Sequence, residues 1–96
     1  MPHLAWSLPA LADLARLHDF LSSKSPDAAA RAIAAIQMGV KSLRAHPGIG
    51  RPVEDMLPEF REWIIEFGHG AYIALYHYDG RRVVILAVRH GREAGY

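Results

Sequence analysis

The segment Arg89-His90-Gly91-Arg92-Glu93-Ala94-Gly95-Tyr96 gathers two arginines, a histidine, a glutamate and a tyrosine directly behind the apolar run Val83-Val84-Ile85-Leu86-Ala87-Val88. A histidine moves protons near neutral pH, an arginine neutralises a pentavalent phosphate, and an activated tyrosine donates or accepts a proton. Together these are the parts of a metal-independent ribonuclease, with His90, Arg92, Tyr96 and Arg61 as its catalytic candidates. The same residues have a second use, in which Arg92 and Glu93 pair with each other or with Arg61 and tie down the chain end. Spacing alone favours the second use and leaves the first open.

The remaining constellations carry less chemistry. The histidines at 3, 18, 46, 69 and 77 scatter, no pair has the i, i+4 spacing of a helical metal site, and cysteine is absent. No metal and no cofactor is therefore expected. Gly48-Ile49-Gly50-Arg51 lacks the lysine and the preceding strand of a phosphate loop, and reads as a tight helix exit with Arg51 as a second anion contact. Tyr72, Tyr76 and Tyr78 share a strand face, a pattern that serves base stacking or, more often, a half-buried sheet.

These residues need a scaffold, and the chain supplies one in order. His3 to Trp6 reads as a short strand. Ser7 is the expected cap of a helix to about Ser23, with Leu11, Leu14, Leu17 and Leu21 as its apolar stripe and Asp13, Arg16 and Asp19 off it. Ser25-Pro26-Asp27 opens a second helix that ends at His46-Pro47-Gly48, with a link so short that the two helices form a hairpin. A loop then leads to three strands, Arg61 to Phe67, Ala71 to Tyr78 and Arg82 to Arg89, with Asp79-Gly80 as a tight turn. The order strand-helix-helix-three strands predicts an α+β fold, a helical hairpin packed on a mostly antiparallel four-stranded sheet. Strict alternation places Val84, Leu86, Val88 and His90 on one face of the last strand, and Val83, Ile85, Ala87 and Arg89 on the other.

Ninety-six residues with 51% apolar content make one domain, 1–96, with a core of its own. The net charge of +1 gives no broad footprint for nucleic acid. No apolar stretch approaches the roughly 20 residues of a membrane span, and the first residues do not look like a signal peptide. The expected location is the cytoplasm, without a membrane partner.

Taken in order, Trp6 after its strand, Asp13-Leu14, Phe20-Leu21, Ser25-Pro26, His46-Pro47-Gly48-Ile49-Gly50-Arg51-Pro52, Arg61-Glu62, Tyr72 to Tyr76 and the terminal Arg89 to Tyr96 resemble the RelE/ParE superfamily. These are toxins of bacterial type II toxin–antitoxin modules, also called plasmid stabilisation proteins. The resemblance covers nearly the whole chain and implies the same element order. RelE-like members cleave mRNA in the ribosome; ParE-like members poison DNA gyrase. Where the nucleases carry an arginine early in the strand that corresponds to Ala71 to Tyr78, this chain has Ile73, and Glu62, Ile64 and Glu66 stand where lysines are expected. The ending His90-Gly91-Arg92-Glu93 is closer to the ParE type. The resemblance thus implies a growth-inhibiting toxin acting on gyrase and neutralised by a cognate antitoxin in a hetero-oligomer. Arg51, Arg61, Arg89, His90, Arg92, Glu93 and Tyr96 are then target or antitoxin contacts. The alternatives are a ribosome-dependent mRNA endoribonuclease and a non-toxic binding module of the same fold.

Overall fold

In the computed structural model, which describes residues 2–93, strand β1 (His3–Trp6) runs into helix α1 (Leu8–Ser22), followed by α2 (Pro26–Ala45), a two-residue β2 (Arg51–Pro52), β3 (Phe60–Phe67), β4 (Gly70–Tyr78) and β5 (Arg82–His90). Both helices start where the sequence supplies a cap. The Ser7 hydroxyl accepts from the Ala10 N–H at 3.1 Å and Ser25 from Ala28 at 3.2 Å, each satisfying an otherwise orphaned donor of the first turn. Asp27 and Arg44 sit at the helix ends that suit their charges. Asp79 Oδ1 accepts from the N–H groups of Arg81 and Arg82, both at 2.9 Å, and Gly80 takes φ +96°, so the Asp79-Gly80 turn joins β4 to β5 as expected.

The sheet has five strands in the order β1-β5-β4-β3-β2, antiparallel except for the parallel β1–β5 pair. It therefore has one strand more than the four expected. Arg51 and Pro52, taken as loop, pair with Glu62 and Arg61 on the outer edge of β3. The α+β architecture itself stands.

Both helices pack on one face of the sheet. Leu14 and Leu17 of α1 and Ile36, Val40 and Leu43 of α2 form one core with Ile65, Tyr72, Tyr76, Val83, Ile85 and Val88. Each such aliphatic side chain contributes about 1.5–3 kcal/mol on leaving water. The helix approaches β3 closely because Gly39 has no side chain: a Cβ there would lie 2.7 Å from Ile65 Cγ1. The Trp63 indole N–H donates to the Gly39 carbonyl across this gap at 2.9 Å. Tyr72 and Tyr76 lie in this core, so the tyrosine row is packing surface and not a stacking platform.

The last strand departs from strict alternation. Tyr76 pairs with Ile85 and Leu75 with Ala87, leaving Leu86 as the extra residue of a β-bulge. Beyond the bulge the phase of the strand reverses. Val88 and His90 join Val83 and Ile85 on the helix-covered face, while Arg89 pairs with Ile73 on the other. The face assignment made from the sequence is corrected accordingly: an inserted residue shifts every later side chain across the sheet. Helix α1 fixes the bulge in place. Past the end of β1, the Ser7 hydroxyl donates to the Leu86 carbonyl at 3.2 Å and Asp13 Oδ2 accepts from the Val88 N–H at 2.9 Å. These two side chains bond to β5 where β1 has ended.

Candidate functional site

The basic residues singled out by the sequence form two groups at opposite ends of the sheet. Arg61 pairs with Tyr76, whereas His90 pairs with Tyr72. Four residues along the strands and two strand spacings across give a backbone separation of about 16 Å.

At the first end, the half-buried Arg61 donates from Nη1 to the Gly50 carbonyl at 2.8 Å. The Tyr76 hydroxyl accepts from the Gly50 N–H at 2.9 Å and donates to the Pro47 carbonyl at 2.7 Å. Together they clamp the loop leaving α2. Gly50 is required there, since a Cβ would lie 2.6 Å from the Tyr76 hydroxyl and 2.7 Å from the Glu62 carbonyl. Burial pushes the Tyr76 phenol up from its ordinary pKa, keeping it a neutral donor. Arg51 Nε contacts Glu62 Oε1 at 3.2 Å. At this end the two arginines hold the chain's own acceptors.

At the second end, β5 leads into a turn bound by its own groups. The Gly91 N–H donates to the Ala71 carbonyl at 2.8 Å and the Glu93 N–H to the His90 carbonyl at 3.0 Å. The Arg89 guanidinium donates to the Glu93 carbonyl at 2.8 Å. His90 stands edge-on to Tyr72, with ring centroids 5.3 Å apart, and its Nδ1 accepts the Arg92 N–H at 3.1 Å. One ring nitrogen of His90 is thus engaged as a turn acceptor. Burial first, and Glu93 second, raise the pKa of Tyr72, so it stays a phenol. Tyr96, the remaining candidate, lies outside the described residues.

Glu93 pairs with neither Arg92 nor Arg61. Its carboxylate takes a two-pronged contact from Arg16 of α1, at 3.0 and 3.2 Å. The Arg16 hydrogen bond, ahead of other contributions, holds the Glu93 carboxyl below its usual range. Arg16 and Asp13 are the functional-end residues that sequence reading missed: both lie merely off the apolar stripe, and their partners are 77 and 75 positions away. Phe20 and Lys24 had a local signal in their i, i+4 spacing, and the Lys24 ammonium sits 4.6 Å from the Phe20 ring centroid. A groove of about 650 Å³ opens between α1 and this end of the sheet.

The face opposite the helices carries Glu62, Ile64 and Glu66 of β3 beside Ile73 and Leu75 of β4. Ile64 is 40% exposed. Arg51 is paired to Glu62 on this face, and Arg89 stands opposite Ile73 with its guanidinium turned to the Glu93 carbonyl, so an aliphatic centre separates two engaged arginines.

A family model described as the ParE toxin of the type II toxin–antitoxin system parDE matches residues 4–95. The chain is 36% identical over 87 residues to Toxin RelE1 of Caulobacter vibrioides, covering 91% of this chain and 90% of that protein. It is 33% identical over 81 residues to Toxin RelE3 of the same organism, covering 84% and 85%. Among solved structures, the chromosomal ParDE TA system from P. aeruginosa superposes with a TM-score of 0.79 at 30% identity, over 94% of this chain and 96% of that one.

Proposed function

The chain belongs to the ParE toxin family of type II toxin–antitoxin systems, and from that membership we propose that it acts in the bacterial cytoplasm on DNA gyrase, silenced by a cognate antitoxin encoded beside it. It is a toxin of the RelE/ParE kind. The solved relative is a toxin–antitoxin system, and an antitoxin partner for this chain follows from that likeness.

The observation that carries the choice of target is the separation of the basic groups. Phosphodiester cleavage requires an acid, a base and a phosphate ligand within hydrogen-bond reach of one phosphate. Arg61 lies about 16 Å from His90 at the backbone and is held by the Gly50 carbonyl, so it supplies no phosphate ligand to a centre at His90 and Arg92, where the His90 Nδ1 is already engaged by the Arg92 N–H. Arg51, Arg61, Arg89, His90, Arg92 and Glu93 then act as recognition and positioning groups, and no metal or cofactor enters. The RelE names of two relatives favour a second reading, mRNA cleavage on the ribosome. Induction without the antitoxin tests the choice. Growth arrest with DNA-damage signalling and intact transcripts is expected; new mRNA 5′ ends mapped by primer extension refute the gyrase reading. Normal growth with soluble, folded protein points to a non-toxic binding module.

A further inference from the structure

Within the toxin reading above, on which this rests, we propose that Arg16 is a carboxylate receptor whose resting occupant is the chain's own Glu93, and that the antitoxin binds by exchanging an acidic residue of its own for it. The groove beside Arg16 is built for a peptide that is both acidic and apolar. Its floor is Leu17 and Leu21 of α1 with Tyr72 of β4, and Phe20 stands at its wall with 61% of its surface in water. Around that apolar floor stand Lys24, His90 and Arg92 together with Arg16, and the one acidic group among the lining residues is Glu93. A basic segment is repelled from such a groove, and a bare phosphate leaves Phe20 and Leu21 in water. An extended segment with a carboxylate and a large apolar side chain satisfies both halves.

The Glu93 carboxylate is expendable to the fold around it. The tail is pinned by main-chain bonds of Gly91 and Glu93 and by the Arg89 contact to the Glu93 carbonyl, none of which uses the carboxylate. The Arg16 fork is meanwhile half-exposed, with 49% of its side-chain surface in water, so an incoming carboxylate reaches it without unfolding the turn. Asp13 Oδ1 lies 3.8 Å from the same guanidinium, so Glu93 completes the cover of a cation that is already partly balanced, at the cost of competition during binding.

The test measures affinity of the full-length toxin for the full-length antitoxin by titration calorimetry, with circular dichroism confirming each variant's fold. Arg16→Ala is expected to weaken binding about tenfold or more, as loss of a hydrogen bond to a charged group does. Glu93→Gln is expected to tighten it roughly two- to fivefold, the worth of an exposed ion pair released from competition. That gain is expected to vanish in the Arg16→Ala background, which a general change of charge does not explain. Lys24→Glu, at another point of the groove's lining, is expected to weaken binding most at low salt and serves if Arg16→Ala does not fold. Affinities within twofold of the parent for Arg16→Ala or Lys24→Glu overturn the proposal, as does weaker binding by Glu93→Gln. If the parent toxin does not bind the antitoxin at all, the toxin reading falls with it; unchanged binding by the variants removes only the groove.

Discussion

Replacing Asp13 by alanine strands the Val88 N–H. That donor sits 2.9 Å from Asp13 Oδ2, on a residue 1% exposed, at a point where β1 has already ended. A buried donor left without a partner costs about 1–3 kcal/mol. The Asp13 side chain is 27% exposed, so water reaches the vacated space and the lower half, about 1–2 kcal/mol, applies. For a domain of this size that lowers Tm by about 5–15 °C. Asp19 on the same helix is the control: its side chain is 85% exposed and, among the described residues, pairs with His18 alone, at 3.6 Å, and Asp19→Ala is expected within about 0.5 kcal/mol of the parent. Asp13→Asn keeps an acceptor oxygen and falls between the two. Urea denaturation supplies the stability and amide hydrogen exchange the local readout, since the Val88 amide is expected to lose protection ahead of the other interior β5 amides. The reasoning is refuted if Asp13→Ala is no less stable than Asp19→Ala and Val88 exchanges as in the parent.

Gly50→Ala is expected to cost about 1–3 kcal/mol in urea denaturation, by overpacking. Tyr76→Phe does not rescue it, because the Tyr76 ring edge and the Glu62 carbonyl, both 2.7 Å from the new Cβ, remain. Gly39→Ala, which in an open helix stabilises by about 1 kcal/mol, is expected to destabilise here against Ile65, and to turn neutral or stabilising in an Ile65→Ala background. The Arg16–Glu93 pair gives a pH dependence of known sign. Since the folded Glu93 pKa lies below its ordinary 4.5, the pair stabilises above that value and its contribution fades as pH falls through the lowered one. Thermal denaturation is expected to show the parent up to about 1 kcal/mol more stable than Glu93→Gln near neutrality, with the gap closing in acid below the ordinary glutamate range.

Much of the fold was legible because its signals are local. Ser7, Ser25-Pro26 and Asp79-Gly80 mark boundaries through bonds to residues two or three positions away, and the leucine stripe of α1 marks its buried face at Leu14, Leu17 and Leu21, although Leu11 is exposed and Ala10 is buried at that end instead. The Leu86 bulge was not legible, since Val83 to Val88 is apolar throughout and an inserted residue leaves no break in such a run. That one residue decides whether His90 faces Tyr72 or the opposite side of the sheet. Strand β2 was missed because two residues hold no periodicity, and only pairing with Glu62 and Arg61 makes them a strand. Arg61 was legible as a basic contact residue, but not as a clamp on Gly50, because its partner belongs to a different element. Arg16 and Glu93 illustrate the same limit at the other end: their types suit an ion pair, and only the packing of α1 beside β5 brings them together.

The central claim is a gyrase-directed toxin without a nuclease centre, and purified components test it most directly. Toxin is added to gyrase with relaxed plasmid and ATP, and in parallel to a reconstituted translation reaction carrying a defined mRNA, each with and without the antitoxin. Inhibition of supercoiling or trapping of cleaved plasmid, reversed by the antitoxin and accompanied by intact mRNA, is the predicted result. Ribosome-dependent cleavage of the mRNA with gyrase fully active contradicts it.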